Sequence, residues 1–162
     1  MHPEPIAEAV SKLKKDGKIL SFGVSNFNAS QIELVEMGIP VEGNQVEFSL
    51  TANEVLYDGT LNDCLVKNRM TMSWSPLGTY FREDNAQTNR IRKAMQPMFA
   101  KYNATADQLL LAWVLKHPSR VHPVVGTTSK ERLKASMETI QIDLELEDWF
   151  ILLEASNGHE VP

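Results

Sequence analysis

Short apolar runs alternate with amphipathic stretches along the chain, and this alternation predicts strands separated by helices. Before Gly17, apolar residues recur at the helical spacing i, i+3, i+4, i+7: Ile6, Ala9, Val10 and Leu13. The run at 19–24 is too short and too rich in β-formers to be a helix. The same pattern predicts further strands at 41–48, 70–74 and 121–125. It predicts further helices at 29–37, 60–68, 89–101, 109–116, 128–137 and 145–156.

Cap signals mark where several of these helices begin. A polar residue followed three positions later by Glu or Gln is a capping box, and three such pairs occur: Asn28 with Gln31, Thr105 with Gln108, and Thr128 with Glu131. Glycine is typical of the position just beyond a helix, and Gly17 and Gly158 stand at two of the predicted ends. The stretches 51–59 and 80–88 are predicted as loops, the second of them polar and mobile.

The order of elements predicts an α/β fold with a parallel sheet and right-handed crossovers. An open sheet of this kind normally carries a Gly-rich fingerprint after its first strand, and the sequence has none. Four βα repeats with polar residues at the ends of the strands fit the C-terminal half of a (β/α)8 TIM barrel, whose full length is about 250 residues. We expect residues 1–162 to form a single domain.

Composition narrows the class of protein. A net charge of −5 offers no basic surface for nucleic acid or an anionic membrane. No apolar run approaches the roughly 20 residues of a membrane span, and the start of the chain lacks the pattern of a signal peptide. The single cysteine, Cys64, excludes an internal disulfide and is expected to be a buried structural thiol. We therefore expect a cytoplasmic protein.

The segment from Gly23 to Phe27 holds the first candidate chemistry. Ser25 and Asn26 stand where a strand ends and a helix begins, the edge at which parallel α/β folds bind ligands. A hydroxyl and an amide can hold a carboxamide or a sugar, but they cannot carry out chemistry alone. The alternative is a turn in which Asn26 caps its own loop.

Several motifs in order resemble the C-terminal half of the aldo-keto reductases. They are Gly-Val-Ser-Asn-Phe at 23–27, Gln45 in the next strand, Trp-Ser-Pro-Leu-Gly at 74–78, and Val-Gly-Thr-Thr at 125–128 followed by Glu-Arg-Leu at 131–133. Asp148-Trp149 and the closing 158–162 segment look like the tail of a bacterial oxidoreductase branch of that family. Each motif is short, but together they cover nearly the whole chain.

The resemblance implies a cofactor site for NADP(H), with NAD not excluded because Gly126 stands where many members have Lys. Positions matching the family's carboxamide contacts are Ser25, Asn26 and Gln45, and Trp74 matches the aromatic residue that stacks on the nicotinamide. Ser75 and Leu77 match pyrophosphate contacts. The segment that grips the adenosine 2′-phosphate corresponds to Gly126, Thr127, Thr128 and Arg132, and Ser136 falls where the family often has an Asn facing the adenine.

Elementary chemistry supports part of this assignment. A helix that opens at Thr128 would present free N–H groups to a phosphate, and Arg132 would add charge-assisted bonds. For Lys130 we favour a solvated side chain. Trp74 has a plain alternative as a core residue, which is what we expect of Trp113 and Trp149.

The resemblance also implies that the chemistry lies elsewhere. The family reduces carbonyls with an Asp, Tyr, Lys and His tetrad carried by the first half of its barrel, and this chain begins after the matching positions. His2 precedes a Pro, as the family's His does, but no strand stands before it. Tyr57, Tyr80 and Tyr102 have no Lys–Asp pair placed to activate them, and no residue cluster has the spacing of metal ligands. We therefore assign no catalytic residue and no metal ligand, and expect the isolated chain to be inactive.

Half a barrel would leave two unpaired strand edges. We expect a homodimer that pairs the first and last strands, or a complementing N-terminal half, to cover them. A small carbonyl substrate would be reduced only if the barrel is completed. The alternative is a non-catalytic half-barrel that self-assembles or serves as a nucleotide-binding module.

Overall fold

Four parallel strands form a sheet in the order β1-β2-β3-β4 in the computed structural model, which describes residues 2–161. The strands are β1 (Gly23–Ser25), β2 (Gly43–Glu47), β3 (Met70–Trp74) and β4 (His122–Pro123). Their registers place Ser25 beside Gln45, Gln45 beside Met72, and Met72 beside His122. All four strands therefore end at one edge of the sheet.

Helices separate consecutive strands, as the alternating pattern predicts. The helices between strands are α2 (Ala29–Glu36), α3 (Thr60–Val66), α4 (Ala86–Tyr102) and α5 (Ala106–Leu115). Before β1 lies α1 (Pro3–Lys15), and after β4 lie α6 (Lys130–Glu138) and α7 (Leu146–Asn157). Short 3-10 turns stand at Glu54–Leu56 and Thr139–Gln141. The parallel order confirms the α/β fold class and the half-barrel arrangement. Between residues 2 and 161, none of the helices has the length and apolar character of a membrane span.

Helices cover one face of the sheet and bury the main core there. Val46 and Phe48 point to this side and pack with residues of α4, α5 and α7, while Gln45 and Glu47 alternate to the other side. Trp113 and Trp149 stack at the centre with their rings 4.9 Å apart and nearly parallel. The prediction that both are core residues is confirmed. Cys64 is buried as predicted, and burial raises the pKa of its thiol.

A second cluster packs α1 and α2 against the start of the sheet. Its members are Val10, Ile32, Val35, Ile39 and Val41. Arg69, whose side chain is 3% exposed, joins this cluster to β3. Its guanidinium donates to both carboxylate oxygens of Glu36 at 2.6 and 2.8 Å, to Asp63 at 3.0 Å and to the carbonyl of Val41 at 2.6 Å. Four of the five N–H groups of this buried cation thus have acceptors within the protein.

Two predictions about local structure were wrong. The first strand spans three residues rather than six, and Leu20 of the predicted run is 93% exposed. The stretch 80–88 is predicted as a loop, but α4 begins within it at Ala86, and Tyr80 and Thr88 are buried. Arg92 of α4 donates to the carbonyls of Tyr80 and Glu83, both at 2.9 Å, so a later helix fixes this polar segment. That contact joins residues too far apart in sequence for local patterns to reveal.

The outer edges of the sheet remain unpaired among the described residues. Between residues 2 and 161, β1 pairs only with β2, and β4 pairs only with β3. Each outer strand therefore presents backbone N–H and C=O groups that have no strand beside them.

Candidate cofactor site at the carboxyl edge of the sheet

A cleft of about 340 Å³ opens where β3 and β4 end. Six of the residues that the sequence nominates for the cofactor line it: Ser75, Leu77, Gly126, Thr127, Arg132 and Ser136. They come from the turn after β3, the loop after β4, and α6. The fold therefore brings together residues that are up to about 60 positions apart in the sequence.

The wall after β3 depends on two residues with left-handed backbone. Ser75 has φ +50° and Gly78 has φ +55°. A Cβ on Gly78 would lie 1.9 Å from Oγ1 of Thr51 and 2.6 Å from Oγ of Ser49, so only glycine fits. Ser75 has a Cβ, so its left-handed backbone is strained, whereas a glycine there would not be. Backbone strain of this kind is concentrated at ligand sites. The turn is thus held in a shape that its residues would not adopt alone.

The opposite wall ends at the first turn of α6, where the predicted cap is wrong by one residue. Ser129, not Thr128, caps this helix, since its Oγ accepts from the N–H of Arg132 at 3.2 Å. The side chain of Thr127 does not cap the helix; its Oγ1 accepts from the N–H of Ser129. Thr128 is exposed between them and does not line the cleft. The shift arises because Ser129 is also a good capping residue, and only the path of the loop chooses between the two.

The other nominated residues lie beside the cleft at the ends of β1, β2 and β3. Ser25 donates from Oγ to the carbonyl of Gln45 at 2.9 Å. Trp74, half-buried, donates from its indole Nε1 to Oδ1 of Asn26 at 2.9 Å. Asn26 lines a separate depression of about 310 Å³. Trp74, the last residue of β3, contacts Asn26, and the next residue, Ser75, lines the cleft. The end of β3 therefore connects the residues around Asn26 with the residues that line the cleft.

The contact with Trp74 fixes what Asn26 can offer a ligand. An indole N–H is only a donor, so the amide oxygen of Asn26 faces Trp74 and its NH2 group remains available to donate. The hydroxyl of Ser25 has used its proton on Gln45, which leaves its lone pairs to accept. Asn26 has φ +55°, a left-handed conformation that Asn tolerates. One donor beside one acceptor is the pattern that a carboxamide requires.

Two charged residues of the cleft were missed by the sequence analysis. Arg82 lines it and donates to the carbonyl of Gly78 at 2.9 Å, and Asp107 of α5 lines it as well. Arg82 sits in the segment predicted as mobile, and Asp107 looks like an ordinary acid in the first turn of a helix. No local pattern marks either one, since only the packing of α5 and the turn after β3 places them here.

One of the three tyrosines, Tyr102, lies beside a Lys–Asp pair, but the pair does not activate it. The hydroxyl of Tyr102 donates to Asp148, and Lys101 donates to the same carboxylate at 2.8 Å. Burial and the bond to Asp148 raise the pKa of Tyr102, the opposite of what an activated proton donor needs. Its oxygen also accepts from the N–H of Glu145 at the start of α7. Tyr102 therefore serves the junction of α4 and α7, and it does not line the cleft.

Comparison with known proteins agrees with this architecture. The family model described as "Aldo/keto reductase family" matches residues 1–156. The chain is 36% identical over its full length to the uncharacterized oxidoreductase YcsN of Bacillus subtilis and 33% identical to the oxidoreductase YdhF of Escherichia coli. It covers 56% and 55% of those proteins, so it spans about half the length of these relatives.

A solved structure shares the fold. The thermostable aldo-keto reductase Tm1743, determined with the inhibitor epalrestat, superposes with a TM-score of 0.81 at 23% identity. The match covers 96% of this chain and 55% of that protein, in keeping with a half barrel. Since the family model covers nearly all of the chain, this protein belongs to the aldo/keto reductase family.

Proposed function

We propose that this chain is the cofactor-binding half of an NADP(H)-dependent oxidoreductase that reduces aldehydes or ketones. The observation that carries the proposal is the cleft, because six residues nominated by family resemblance line it together. Residues that merely shared a motif would have no reason to meet around one depression at the carboxyl edge of the sheet.

The α6 wall suits the phosphorylated adenosine end of the dinucleotide. Arg132 is exposed, and no carboxylate among residues 2–161 lies within ion-pair distance of its guanidinium. The helix begins beside it at Lys130, so the positive end of the helix dipole adds to the attraction for an anion. Thr127 and Ser136 supply hydroxyls on the same wall. We assign the 2′-phosphate to this wall and the adenine to the side of Ser136.

The nicotinamide end fits the group formed by Ser25, Asn26, Gln45 and Trp74. Asn26 would donate to the carboxamide oxygen and Ser25 would accept from the carboxamide nitrogen, as their existing bonds leave them free to do. Trp74 would present its ring to the nicotinamide while its N–H holds Asn26 in place. Ser75 and Leu77, which follow directly, would contact the pyrophosphate between the two ends.

These residues would hold a cofactor that, when bound, would supply a hydride for the reduction of a carbonyl carbon. The residues at this edge bind and orient, and none of them is arranged to protonate the carbonyl oxygen. The hydroxyl of Tyr102 is hydrogen-bonded to Asp148 and to the N–H of Glu145 at the junction of α4 and α7. We therefore expect the chain to bind NADPH without turning it over.

A titration tests both parts of the proposal. NADPH is added to the purified chain while tryptophan fluorescence is followed, and absorbance of the reduced nicotinamide is then monitored with a small aldehyde present. Saturable quenching without oxidation supports the proposal. Absence of quenching would contradict the cofactor site, and oxidation of NADPH would contradict the expected inactivity.

The unpaired edges of the sheet favour a second role, assembly into a complete barrel. Four strands in one parallel order are half of an eight-stranded barrel, and the β1 and β4 edges are the surfaces at which another half would pair. We propose that a second copy or a complementing N-terminal half pairs there. Size-exclusion chromatography with light scattering tests the first option, since a monomer at micromolar concentration would contradict a homodimer.

A further inference from the structure

A carboxylate lies in the wall of the proposed adenosine cleft. Its negative charge would repel a phosphate bound there. Asp107 is the second residue of α5 and is half-buried. Its Oδ1 accepts from the Oγ1 of Thr105, the cap of that helix, at 2.6 Å. The hydroxyl holds the carboxylate in place but does not remove its charge.

Packing between α5 and α6 fixes where this charge points. Gln108, the next residue, donates from Nε2 to the carbonyl of Ala135 at 3.1 Å. Ser136, beside Ala135, donates to the carbonyl of Arg132 at 2.9 Å. The first turn of α5 is therefore tied to the stretch of α6 that carries Arg132 and Ser136, and Asp107 faces the same cleft as both.

The charge of Asp107 is not cancelled locally. Within residues 2–161, no Lys, Arg or His nitrogen lies within ion-pair distance of its carboxylate. Asp107 and Arg132 both line this one cleft of about 340 Å³, and a half-buried charge is screened by salt less than a fully exposed one. Any phosphate bound on the α6 wall would therefore experience Asp107 as well as Arg132.

We propose that Asp107 is a specificity-determining residue that opposes Arg132 and weakens binding of the 2′-phosphorylated dinucleotide relative to the unphosphorylated one. This inference rests on the proposed cofactor site. The two cofactors differ only in a phosphate of nearly two negative charges on the adenosine ribose, so a fixed negative charge beside that position discriminates between them. The chain thereby accepts NADH more readily than its arginines alone would allow.

The test compares dissociation constants for NADPH and NADH, measured by quenching of tryptophan fluorescence at low salt. For Asp107→Asn we expect NADPH to bind about 3- to 10-fold more tightly relative to NADH than in the unaltered chain. The difference should shrink in high salt, because screening reduces the repulsion. Asp107→Glu keeps the charge and should leave the ratio within about twofold of the original.

Glu131 provides a matched control. It is the second residue of α6 and accepts from the hydroxyl of the cap Ser129 at 2.7 Å, just as Asp107 accepts from Thr105. It is exposed and does not line the cleft. Glu131→Gln therefore removes the same charge from the same helical position. Because its exposed carboxylate interacts through solvent, we expect a smaller change in the ratio than for Asp107→Asn.

Each outcome decides the matter. A larger shift in favour of NADPH for Asp107→Asn than for Glu131→Gln supports the inference. Equal shifts would mean that only the net charge matters, and an unchanged ratio would mean that Asp107 is an ordinary helix-capping acid; both overturn the inference and leave the cofactor site standing. If the unaltered chain binds neither dinucleotide, the proposed function fails and the inference fails with it.

Discussion

The three tryptophans divide the molecule into two regions that use the same side chain in different ways. In the core, Trp113 donates to the carbonyl of Trp149 at 3.1 Å, and Trp149 donates to the carbonyl of Trp113 at 2.9 Å. At the carboxyl edge, Trp74 is half-buried and donates to the side chain of Asn26. Trp113 and Trp149 satisfy each other's indole N–H groups. Trp74 instead orients the side chain of Asn26, whose NH2 group is still available to donate.

The same contrast applies to the charged groups. Arg69 is buried and bonded to two carboxylates and a carbonyl, so it contributes to the packing of α2 against β3. Arg132 at the cleft is exposed and has no acidic partner among residues 2–161. Groups that are satisfied within the protein stabilise it, and groups left unsatisfied at the edge of the sheet are available to a ligand. Substitutions should therefore affect folding in one region and binding in the other.

The largest difference is expected between two tryptophan substitutions. Trp113→Ala should lower the free energy of unfolding by about 3 to 5 kcal/mol, because it leaves a cavity and deprives Trp149 of its stacking partner. Trp74→Ala should cost about 1 kcal/mol or less but weaken NADPH binding. Urea denaturation of both variants checks the first quantity, and NADPH titration followed by nicotinamide fluorescence checks the second. Equal destabilisation would remove the distinction between the regions.

Removal of the buried cation should rank next. Arg69→Met leaves Glu36 and Asp63 without their partner and is expected to cost about 3 kcal/mol, measured by urea denaturation at neutral pH. Arg132→Met makes the same chemical change at the cleft and serves as the control. A loss below about 1 kcal/mol for Arg69→Met would mean that these ion pairs contribute little to stability.

The α4–α7 junction should respond more weakly. Tyr102→Phe removes the donor to Asp148 and the acceptor for the N–H of Glu145, while the ring stays in place. We expect a loss of about 1 to 2 kcal/mol in the free energy of unfolding, since one acceptor and one donor lose their partner. NADPH affinity should not change. A change in affinity with no loss of stability would connect Tyr102 to the site.

Acid should weaken the fold through Glu36. Its bonds with Arg69 hold the pKa of Glu36 below its ordinary value of 4.5 in the folded chain. The unfolded chain therefore binds a proton more readily, so this contribution is complete above pH 4.5 and is lost as the pH falls through the lower, folded-state pKa. Urea denaturation from pH 3 to 7 should show a smaller decline for Glu36→Gln than for the unaltered chain. Identical pH profiles would contradict the assignment.

The smallest effect on folding is expected at the cleft. Arg132→Ala should change the free energy of unfolding by less than about 0.5 kcal/mol, because the side chain is exposed. NADPH binding should weaken by about tenfold, and NADH binding should change much less. The dissociation constants of the two dinucleotides check this result. Equal loss for both would place the phosphate elsewhere.

Local signals in the sequence determined the framework. The strand at 70–74 is confirmed residue for residue, the capping boxes at Asn28 and Thr105 are both present, and Gly158 ends α7 in left-handed conformation. These features depend on side chains and backbone within a few positions of one another. The parallel order followed from the alternation of strands and helices, and family motifs nominated six of the thirteen residues that line the cleft.

Only the tertiary structure decided which polar and charged side chains have a hydrogen-bond or ion-pair partner and which line the cleft. Tyr102 and Asp148 are 46 positions apart, and neither residue signals in the sequence that the other is its partner. Asp107 and Arg82 enter the cleft because α5 packs on α6 and the turn after β3 folds back, and Ser129 replaces Thr128 as the cap because of the path of its loop. Hydrogen bonds and charge interactions depend on distance in space, and chain folding sets that distance independently of separation in sequence.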